Sequence, residues 1–422
     1  MVTSFKLENL LRGNISMGNG VELVYVPSYK LSGFVIKKKA VERGRMRMNV
    51  EDDRLSVLPD DLILKILSFV GLKDAIRTSV LSPRWRHLWT SIPRLSFSSL
   101  DFRTIHKLSD FVNHVLSRRN KQVQLSSFKL YYCGPFGQEV AIRIMNHAFS
   151  LNVQQLNITC RFTYHSCSLF KANPGFTHSL SGSQTLKHLT LSWYSGVNYI
   201  ILTSTREFSS LTTLRLYDIT LYDGFLSMCP NLENLTLHCC KMNGSEVLSI
   251  CHRRLSNLTL ENRNYRAFTI NVVTPQLKNL TISKYFGGYQ ISAPELSSLI
   301  IRGHCPYTFS TDGFHSLEKA ELCLHSPRSL SSSNASTIIR LLQELHNVKL
   351  LSLSAEVIQL LNSSVELISR QPFLLANLKC LKIMVRHKHT NLYMSFEAIT
   401  NYLLYGSPKA TMTKVSTRLF IC

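Results

Sequence analysis

The sequence is poor in charged residues, and acidic residues are the scarcer kind. Only 18% of its 422 residues are charged, with 26 Asp and Glu against 48 Lys and Arg, so the formal net charge is +22. Hydrophobic residues make up 45% of the chain. This composition excludes global disorder, and the length predicts more than one domain with a sizeable buried core.

Paired cysteines and long apolar runs are also missing. The eleven cysteines are an odd number without a Cys-x-x-Cys pair. The closest two, Cys239 and Cys240, are adjacent, a spacing unsuited to an ordinary disulfide or a zinc site. We therefore expect a reducing compartment. The sequence shows neither a secretory signal peptide nor an apolar run of about 18 residues, so we expect no membrane contact and a location in the nucleus and/or the cytoplasm.

Catalytic motifs are the third absence. The sequence contains no Gly-x-Ser-x-Gly, no His-Glu-x-x-His, no Walker loop and no Gly-x-Gly-x-x-Gly after a predicted strand. A catalytic cysteine would need an exposed thiol of low pKa, and no residue pattern marks one. The sequence predicts a protein that is not an enzyme, without a catalytic residue, a cofactor or a metal site.

Five regions differ in composition and pattern. We predict a basic, poorly ordered extension over 1–50, a helical unit over 51–97, a connector with the first repeat over 98–150, repeats over 151–390 and a divergent C-terminal tail over 391–422. The extension holds a basic cluster that is either a nuclear address or a solvated charge run: Lys37, Lys38, Lys39, Arg43, Arg45 and Arg47.

Helix signals crowd the segment from Asp53 to Leu88. Pro59 with two acids after it is typical of a helix start, and the next apolar residues follow 3-4 spacing: Leu62, Ile63, Ile66, Leu67 and Val70. A second helix fits Lys73–Val80, and Ser82-Pro83 predicts the start of a third. A segment this short cannot bury three amphipathic helices well, so its surplus apolar side chains should face a partner or the next domain.

A Leu-x-x-Leu-x-Leu pattern recurs through the rest of the chain. Its intervals scatter around the roughly 20–29 residues typical of leucine-rich repeats, and the pattern starts, with conservative replacements, at Leu125, Val153, Leu186, Leu211, Leu232, Leu255, Leu277, Leu296, Leu317, Val348 and Leu378. In each unit the later two leucines should face the core, and their neighbours should face the concave side.

Two stretches carry a family resemblance. Asp53-Arg54-Leu55-Ser56-x-Leu58-Pro59-Asp60-x-Leu62, Ile66-Leu67-Ser68-Phe69 and Lys73-Asp74-Ala75-Ile76-Arg77 through Trp85 to Trp89 resemble the F-box of the large plant F-box/leucine-rich-repeat group. Cys229-Pro230-x-Leu232-Glu233-x-Leu235-x-Leu237 resembles its repeats. The sequence departs from the family at Val70-Gly71 and at Pro83, both at predicted helix ends. The resemblance implies an α/β fold: an N-terminal three-helix F-box, then an irregular leucine-rich-repeat solenoid built as a parallel-strand horseshoe.

The resemblance also implies a function. Such proteins are substrate-recognition adaptors of Skp–cullin–F-box ubiquitin ligases, in which the F-box binds the Skp-type linker protein and, through it, the cullin complex, while the solenoid binds a target protein. Carried over by position, the linker-binding residues are Leu58, Pro59, Leu62, Ile66, Leu67 and Trp85. For each of them, packing inside the F-box is the rival interpretation.

The concave face of the solenoid is the expected site of substrate binding, because its aligned strands form an extended, rigid surface. Arg215, Tyr217 and His238 lie in two consecutive repeats, and Arg and aromatic side chains are frequent anchors of interfaces. The concave columns of all repeats hold five bases against two acids: Lys129, Arg215, Arg302, Lys319 and Lys382 against Glu261 and Glu321.

The alternative function is a basic scaffold without a ligase role that binds nucleic acid or acidic proteins, as the net charge suggests. Nucleic acid is the weaker choice, because no single element interleaves aromatic and basic residues.

Overall fold

Two structural units divide the chain in the computed structural model. The first comprises residues 1–93 with 118–123, and the second comprises 94–117 with 124–422. The structure describes residues 21–24, 35–38, 57–134, 138–162, 176–180, 183–195, 200–204, 206–262, 269–325, 332–370, 375–386 and 397–417. The basic cluster at 37–47 and the tail beyond 417 therefore lie largely outside the described residues.

The first unit contains a hairpin and a set of short helices. Strands β1 (Val21–Val24) and β2 (Val35–Lys38) pair antiparallel. Helices α1 (Asp60–Leu67) and α2 (Leu72–Arg77) follow, and then three turns of 3-10 helix: Thr78–Val80, Arg84–Arg86 and Leu88–Ser91. The predicted third helix is thus formed by 3-10 turns, and His87 at φ −114° interrupts them. Pro59 lies at the N-cap of α1, where its missing N–H leaves no bond unmade.

Residues 57–91, which hold α1, α2 and the three turns, are called the helical segment. Six side chains form its core. Ile63 and Leu67 lie one turn apart on α1, so a single side of the helix is buried. The other buried side chains come from α2 and the turns: Leu72, Ala75, Trp85 and Trp89.

The second unit is built mainly of strands. In chain order they are β3 (Arg94–Ser98), β4 (Ser127–Gly134), β5 (Gln155–Phe162), β6 (Phe176–Leu180), β7 (His188–Ser195), β8 (Ile200–Ser204), β9 (Thr213–Tyr217), β10 (Thr220–Leu221), β11 (Asn234–His238), β12 (Lys241–Met242), β13 (Val247–Cys251), β14 (Asn257–Glu261), β15 (Thr269–Val273), β16 (Asn279–Ser283), β17 (Gly288–Ser292), β18 (Ser298–His304), β19 (Thr308–Thr311), β20 (Lys319–His325), β21 (Leu350–Ser354), β22 (Cys380–Arg386) and β23 (Thr411–Thr417).

Thirteen of these strands form one parallel sheet. Its order is β23-β22-β21-β20-β18-β16-β14-β11-β9-β7-β5-β4-β3, and every neighbouring pair is parallel. The first residue of all eleven predicted repeats is buried. Strand β3 precedes those repeats and β23 follows them. The predicted α/β architecture is confirmed, whereas the predicted domain boundaries stay predictions.

The other side of the core changes character along the chain. Two separate parallel ladders, β12-β10-β8-β6 and β13-β15-β17-β19, cover the middle repeats. Helices lie in the connections of the first and last repeats: α3 (Ile105–Arg118), α4 (Gln138–Ser150), α5 (Ser332–Gln343), α6 (Ala355–Asn362), α7 (Val365–Arg370) and α8 (Glu397–Tyr405). Short 3-10 turns occur at Ser99–Asp101 and Phe225–Met228. Within the described residues, no helix is long and apolar enough to cross a membrane.

Left-handed residues end several strands of the large sheet. Asp218, Cys239 and Lys284 have φ of 57°, 52° and 59°. Their backbone N–H groups donate to the carbonyls of His238, Glu261 and Arg302 in the following strands, at 2.7 to 2.8 Å. The cost of a left-handed non-glycine residue is therefore offset by one further ladder bond per repeat.

Gly303 occupies a comparable position in β18. Its φ is +103°, and a Cβ added there would lie 2.9 Å from the backbone N and Cα of Lys284. Only glycine fits this turn without displacing the neighbouring strand.

Candidate interaction surfaces

The predicted linker-binding residues divide between surface and core. Pro59 and Leu62 are exposed, and Leu58 and Ile66 are half-buried. Leu67 and Trp85 are buried inside the helical segment. Packing inside the segment, the rival interpretation, therefore accounts for Leu67 and Trp85. The other four residues are at least partly accessible to a partner. The role of all six in linker binding stays a prediction.

Three further apolar side chains, which the sequence analysis did not single out, are exposed in this segment. Val57 is 77% exposed, and Phe69 and Val80 are each 66% exposed, compared with 46% for Leu62. Phe69 follows α1, and Val80 ends a 3-10 turn. Contiguous exposed apolar surface is typical of a site that binds another protein, and this short segment exposes four large apolar side chains. The pattern of the predicted helix Lys73–Val80 points Val80 inward, and this is wrong, because α2 ends at Arg77 and Val80 lies in a 3-10 turn. Phe69 lies just beyond the end of α1, where 3-4 spacing no longer applies.

Arg84 holds the start of α1 in place. Its guanidinium donates from Nε to Oδ1 of Asp60 at 2.8 Å, Nη2 lies 2.6 Å from the same oxygen, and it also donates to the carbonyl of Leu58. The segment that carries Leu58 and Pro59 is thereby tied to the last turns of the helical segment. Asp60 and Asp61 also favour the N-terminal end of the helix dipole.

The structure brings together the three residues predicted to bind substrate. Arg215 is exposed and Tyr217 half-buried on β9, and His238 is 8% exposed at the register position of β11 opposite Tyr217. The rings of Tyr217 and His238 have centroids 5.5 Å apart at an interplanar angle of 33°. These side chains lie on the solvent side of the large sheet, which we call the sheet face. Their role in substrate binding stays a prediction.

Glu261 connects His238 to a lysine. His238 Nε2 lies 3.5 Å from Oε1 of Glu261, and Nζ of Lys284 lies 3.6 Å from the same oxygen. His238 Nδ1 is buried without a hydrogen-bond partner in the described part of the chain. The ammonium group of Lys284 therefore lies close to this carboxylate, so Glu261 is not an isolated acid on the sheet face.

An asparagine ladder crosses the middle of the sheet face. Nδ2 of Asn257 donates to Oδ1 of Asn234 at 2.8 Å, and Nδ2 of Asn279 donates to Oδ1 of Asn257 at 2.7 Å. The same three strands carry Thr236 and Thr259 in register with Thr281. The middle of the sheet face is therefore polar, with its amide groups already paired to one another.

Strands longer than the repeat motif add two residues to the sheet face. β5 and β7 extend beyond the six-residue pattern and place Arg161 opposite Tyr194. The Arg161 guanidinium lies 5.4 Å from the centroid of the Tyr194 ring. Burial, followed by the nearby Asp218 carboxylate, raises the pKa of Tyr194. The sequence signal was available, since the alternation of buried and exposed residues continues through Cys160, Arg161 and Phe162.

Buried thiols lack the chemistry of a nucleophile. Burial raises the pKa of Cys160, Cys229, Cys240 and Cys305 to about 12, so these thiols stay protonated at neutral pH. The described cysteines are free thiols. Among the described residues, no three His, Cys, Asp or Glu side chains are grouped to hold a metal ion.

Comparison with known proteins identifies relatives for both parts of the chain. Residues 55–97 match the F-box domain family. An F-box/LRR-repeat protein of Arabidopsis thaliana is 32% identical over 345 residues, 76% of this chain and 95% of the relative. An F-box/FBD/LRR-repeat protein of the same plant is 32% identical over 253 residues, 56% of each chain. A putative F-box protein of that plant is 28% identical over 320 residues, 74% of this chain and 72% of the relative. The alignment thus spans nearly the whole first relative but little more than half of the second.

Proposed function

Because the chain belongs to the F-box/LRR-repeat family, whose domains serve adaptor-type protein interactions, we propose that it is the substrate-recognition adaptor of a Skp–cullin–F-box ubiquitin ligase. The helical segment binds the Skp-type linker, and the sheet face binds a target protein. The observation that carries the proposal is the exposure of large apolar side chains in the segment that matches the F-box family. The proposal includes a location in the nucleus and/or the cytoplasm.

The proposed contribution to ubiquitin transfer is proximity. An adaptor that holds a target lysine beside a thioester carried by another subunit raises the effective concentration of the two reactants. This role needs no nucleophile in the adaptor itself, and the protonated buried thiols are consistent with it. Two binding surfaces in different parts of one chain are sufficient.

Linker binding tests the proposal. The double change Leu58→Ala with Pro59→Ala should weaken binding of the full chain to a plant Skp-type protein by about tenfold or more, as for loss of an interface anchor. Leu62→Ala should weaken it less. Tyr307→Ala is the control, because Tyr307 is a large exposed side chain that lies in the solenoid unit. Affinity is measured by calorimetry, and circular dichroism verifies folding of each variant.

Two results would contradict the proposal in different ways. Undiminished binding of the folded double variant would remove Leu58 and Pro59 from the interface. Absence of binding between the unmodified chain and Skp-type proteins would remove the ligase role and favour the alternative, a basic scaffold without it.

A further inference from the structure

The sheet face is unevenly charged along the solenoid. The first five strands of the large sheet, β3, β4, β5, β7 and β9, contain no Asp or Glu. Their outward positions carry four exposed bases, Arg94, Lys129, Arg161 and Arg215. The excess of bases over acids is larger than the six-residue motifs alone indicate. Arg94 precedes the first motif, and Arg161 follows the end of another.

Within the described part of the chain, the bases of these strands lack anionic partners. Arg94, Lys129 and Arg215 form no ion pair or side-chain hydrogen bond with another described residue, and Arg161 lies over the ring of Tyr194. Asp101 and Asp218, which follow β3 and β9, have interactions of their own. Nearer the C-terminus, Arg302 does have an anionic partner, because its Nε donates to Oε1 of Glu321 at 2.7 Å.

The spacing of two bases suits an extended chain. Lys129, Asn157, Thr190 and Arg215 lie in one row across β4, β5, β7 and β9. Three strand intervals of about 4.8 Å separate Lys129 from Arg215 by roughly 14 Å, which an extended peptide covers in about four residues. The Asn157 amide and the Thr190 hydroxyl between them can pair with the backbone of such a peptide.

We propose that this basic part of the sheet face binds an extended acidic segment of a protein partner, whose carboxylates lie about four residues apart. The inference rests on the proposed function, which makes that partner the ubiquitination target. Complementary charge would guide the encounter and fix the register of the segment, and the polar positions between the bases would bind its backbone.

A protein segment fits the surface better than a nucleic acid strand. Single-stranded nucleic acid is bound by a charged groove together with aromatic rings on which bases stack. Here the Tyr194 ring lies beneath Arg161, and the Tyr217 ring contacts His238. Each ring therefore already uses one face against a side chain.

The test uses a display library of random twelve-residue peptides as the probe for the full chain. Recovered peptides should be enriched in Asp and Glu with four-residue spacing. A synthetic peptide of the recovered sequence should bind about tenfold more weakly to the double variant Lys129→Glu with Arg215→Glu, as charge reversal at an interface predicts. The matched control is Lys319→Glu with Lys382→Glu, which makes the same change of charge at exposed positions of the same face.

The possible outcomes separate this inference from the function on which it rests. Recovery without acidic enrichment, or equal losses in both double variants, would overturn the inference. A twelve-nucleotide single strand that binds more tightly than the peptide and depends on Lys129 and Arg215 would overturn it in favour of nucleic acid. Linker binding is measured on the same preparations. Its retention shows that only the inference has failed, and its absence in the unmodified chain shows that the proposed function has failed.

Discussion

The F-box segment and the solenoid use the same apolar residue types for opposite purposes. In the solenoid, Leu235 and Leu258 occupy the same position in paired strands and are almost fully buried. In the F-box segment, Leu62 and Phe69 project into solvent next to the buried Ile63. The solenoid buries its leucines because each repeat has a neighbour on both sides. The F-box segment is too short to bury all of its own, so several large apolar side chains stay exposed.

The largest effect expected from this comparison concerns two leucines. Leu258→Ala should lower the free energy of unfolding by about 2–5 kcal/mol, because it leaves a cavity between repeats. Leu62→Ala should lower it by less than about 0.5 kcal/mol, since the side chain already contacts water. Urea unfolding of the full chain measures both. Equal destabilisation would show that Leu62 is a core residue and that the two regions do not differ.

A smaller effect is expected at the left-handed turn of the solenoid. Gly303→Ala should destabilise the chain by about 1–3 kcal/mol, because alanine is strained at this φ and its Cβ would overlap the backbone of Lys284. Gly71→Ala is the control in the F-box segment, where φ is −62° and the added Cβ has room. Thermal unfolding followed by circular dichroism compares the two. A neutral Gly303→Ala would mean that β16 and β18 can separate at this point.

The asparagine ladder should contribute less than the turn. Asn257→Ala removes one donated and one accepted hydrogen bond between neighbouring strands, and we expect a loss of about 1 kcal/mol. Asn243→Ala provides the control, because Asn243 follows β12 on the opposite side of the core and is not one of the three asparagines of the ladder. Unchanged stability of Asn257→Ala in urea would show that water replaces the ladder at no cost.

The smallest effect is expected in the F-box segment. Arg84→Ala removes the ion pair with Asp60, and exposed pairs of this kind contribute roughly 0.2–1 kcal/mol. Stability should therefore change little. Linker affinity should fall more, because the segment that carries Leu58 loses its tie to the last turns. Affinity unaffected by Arg84→Ala would show that this segment is held by other contacts.

Sequence reasoning predicted the repeats more completely than the F-box surface. A buried leucine spacing is a local signal that recurs, so all eleven repeat starts, from Leu125 to Leu378, could be found from the chain alone. The choice between Leu62 and Ile63 could not, because both fit 3-4 spacing and tertiary packing decides which one faces the core. The outer ladders escaped prediction because their strands carry no repeated motif, although most of them have five residues, like β9, β11 and β14 of the large sheet.

The sheet face shows the same limit in a different form. Arg215 and Tyr217 were accessible to sequence analysis because they lie inside the motif. Arg161 and Tyr194 lie beyond the motif. The alternation around Arg161 hints that β5 continues, but the lengths of β5 and β7 depend on their pairing with each other. A pattern of six residues cannot reveal how far two strands continue to pair beyond it.

The separation of the two outer ladders has a mechanical consequence. One ladder ends with β12 at Met242 and the other begins with β13 at Val247, while the large sheet continues through β11 and β14 without a break. On the sheet face, backbone hydrogen bonds continue without a break and would resist bending of the solenoid. On the opposite side, no ladder connects β12 to β13, and we call this gap the seam. The solenoid would therefore bend most easily at the seam, because bending there breaks no backbone hydrogen bond between outer strands. The curvature available to a long bound segment would then be set at these two repeats, close to His238 and Glu261.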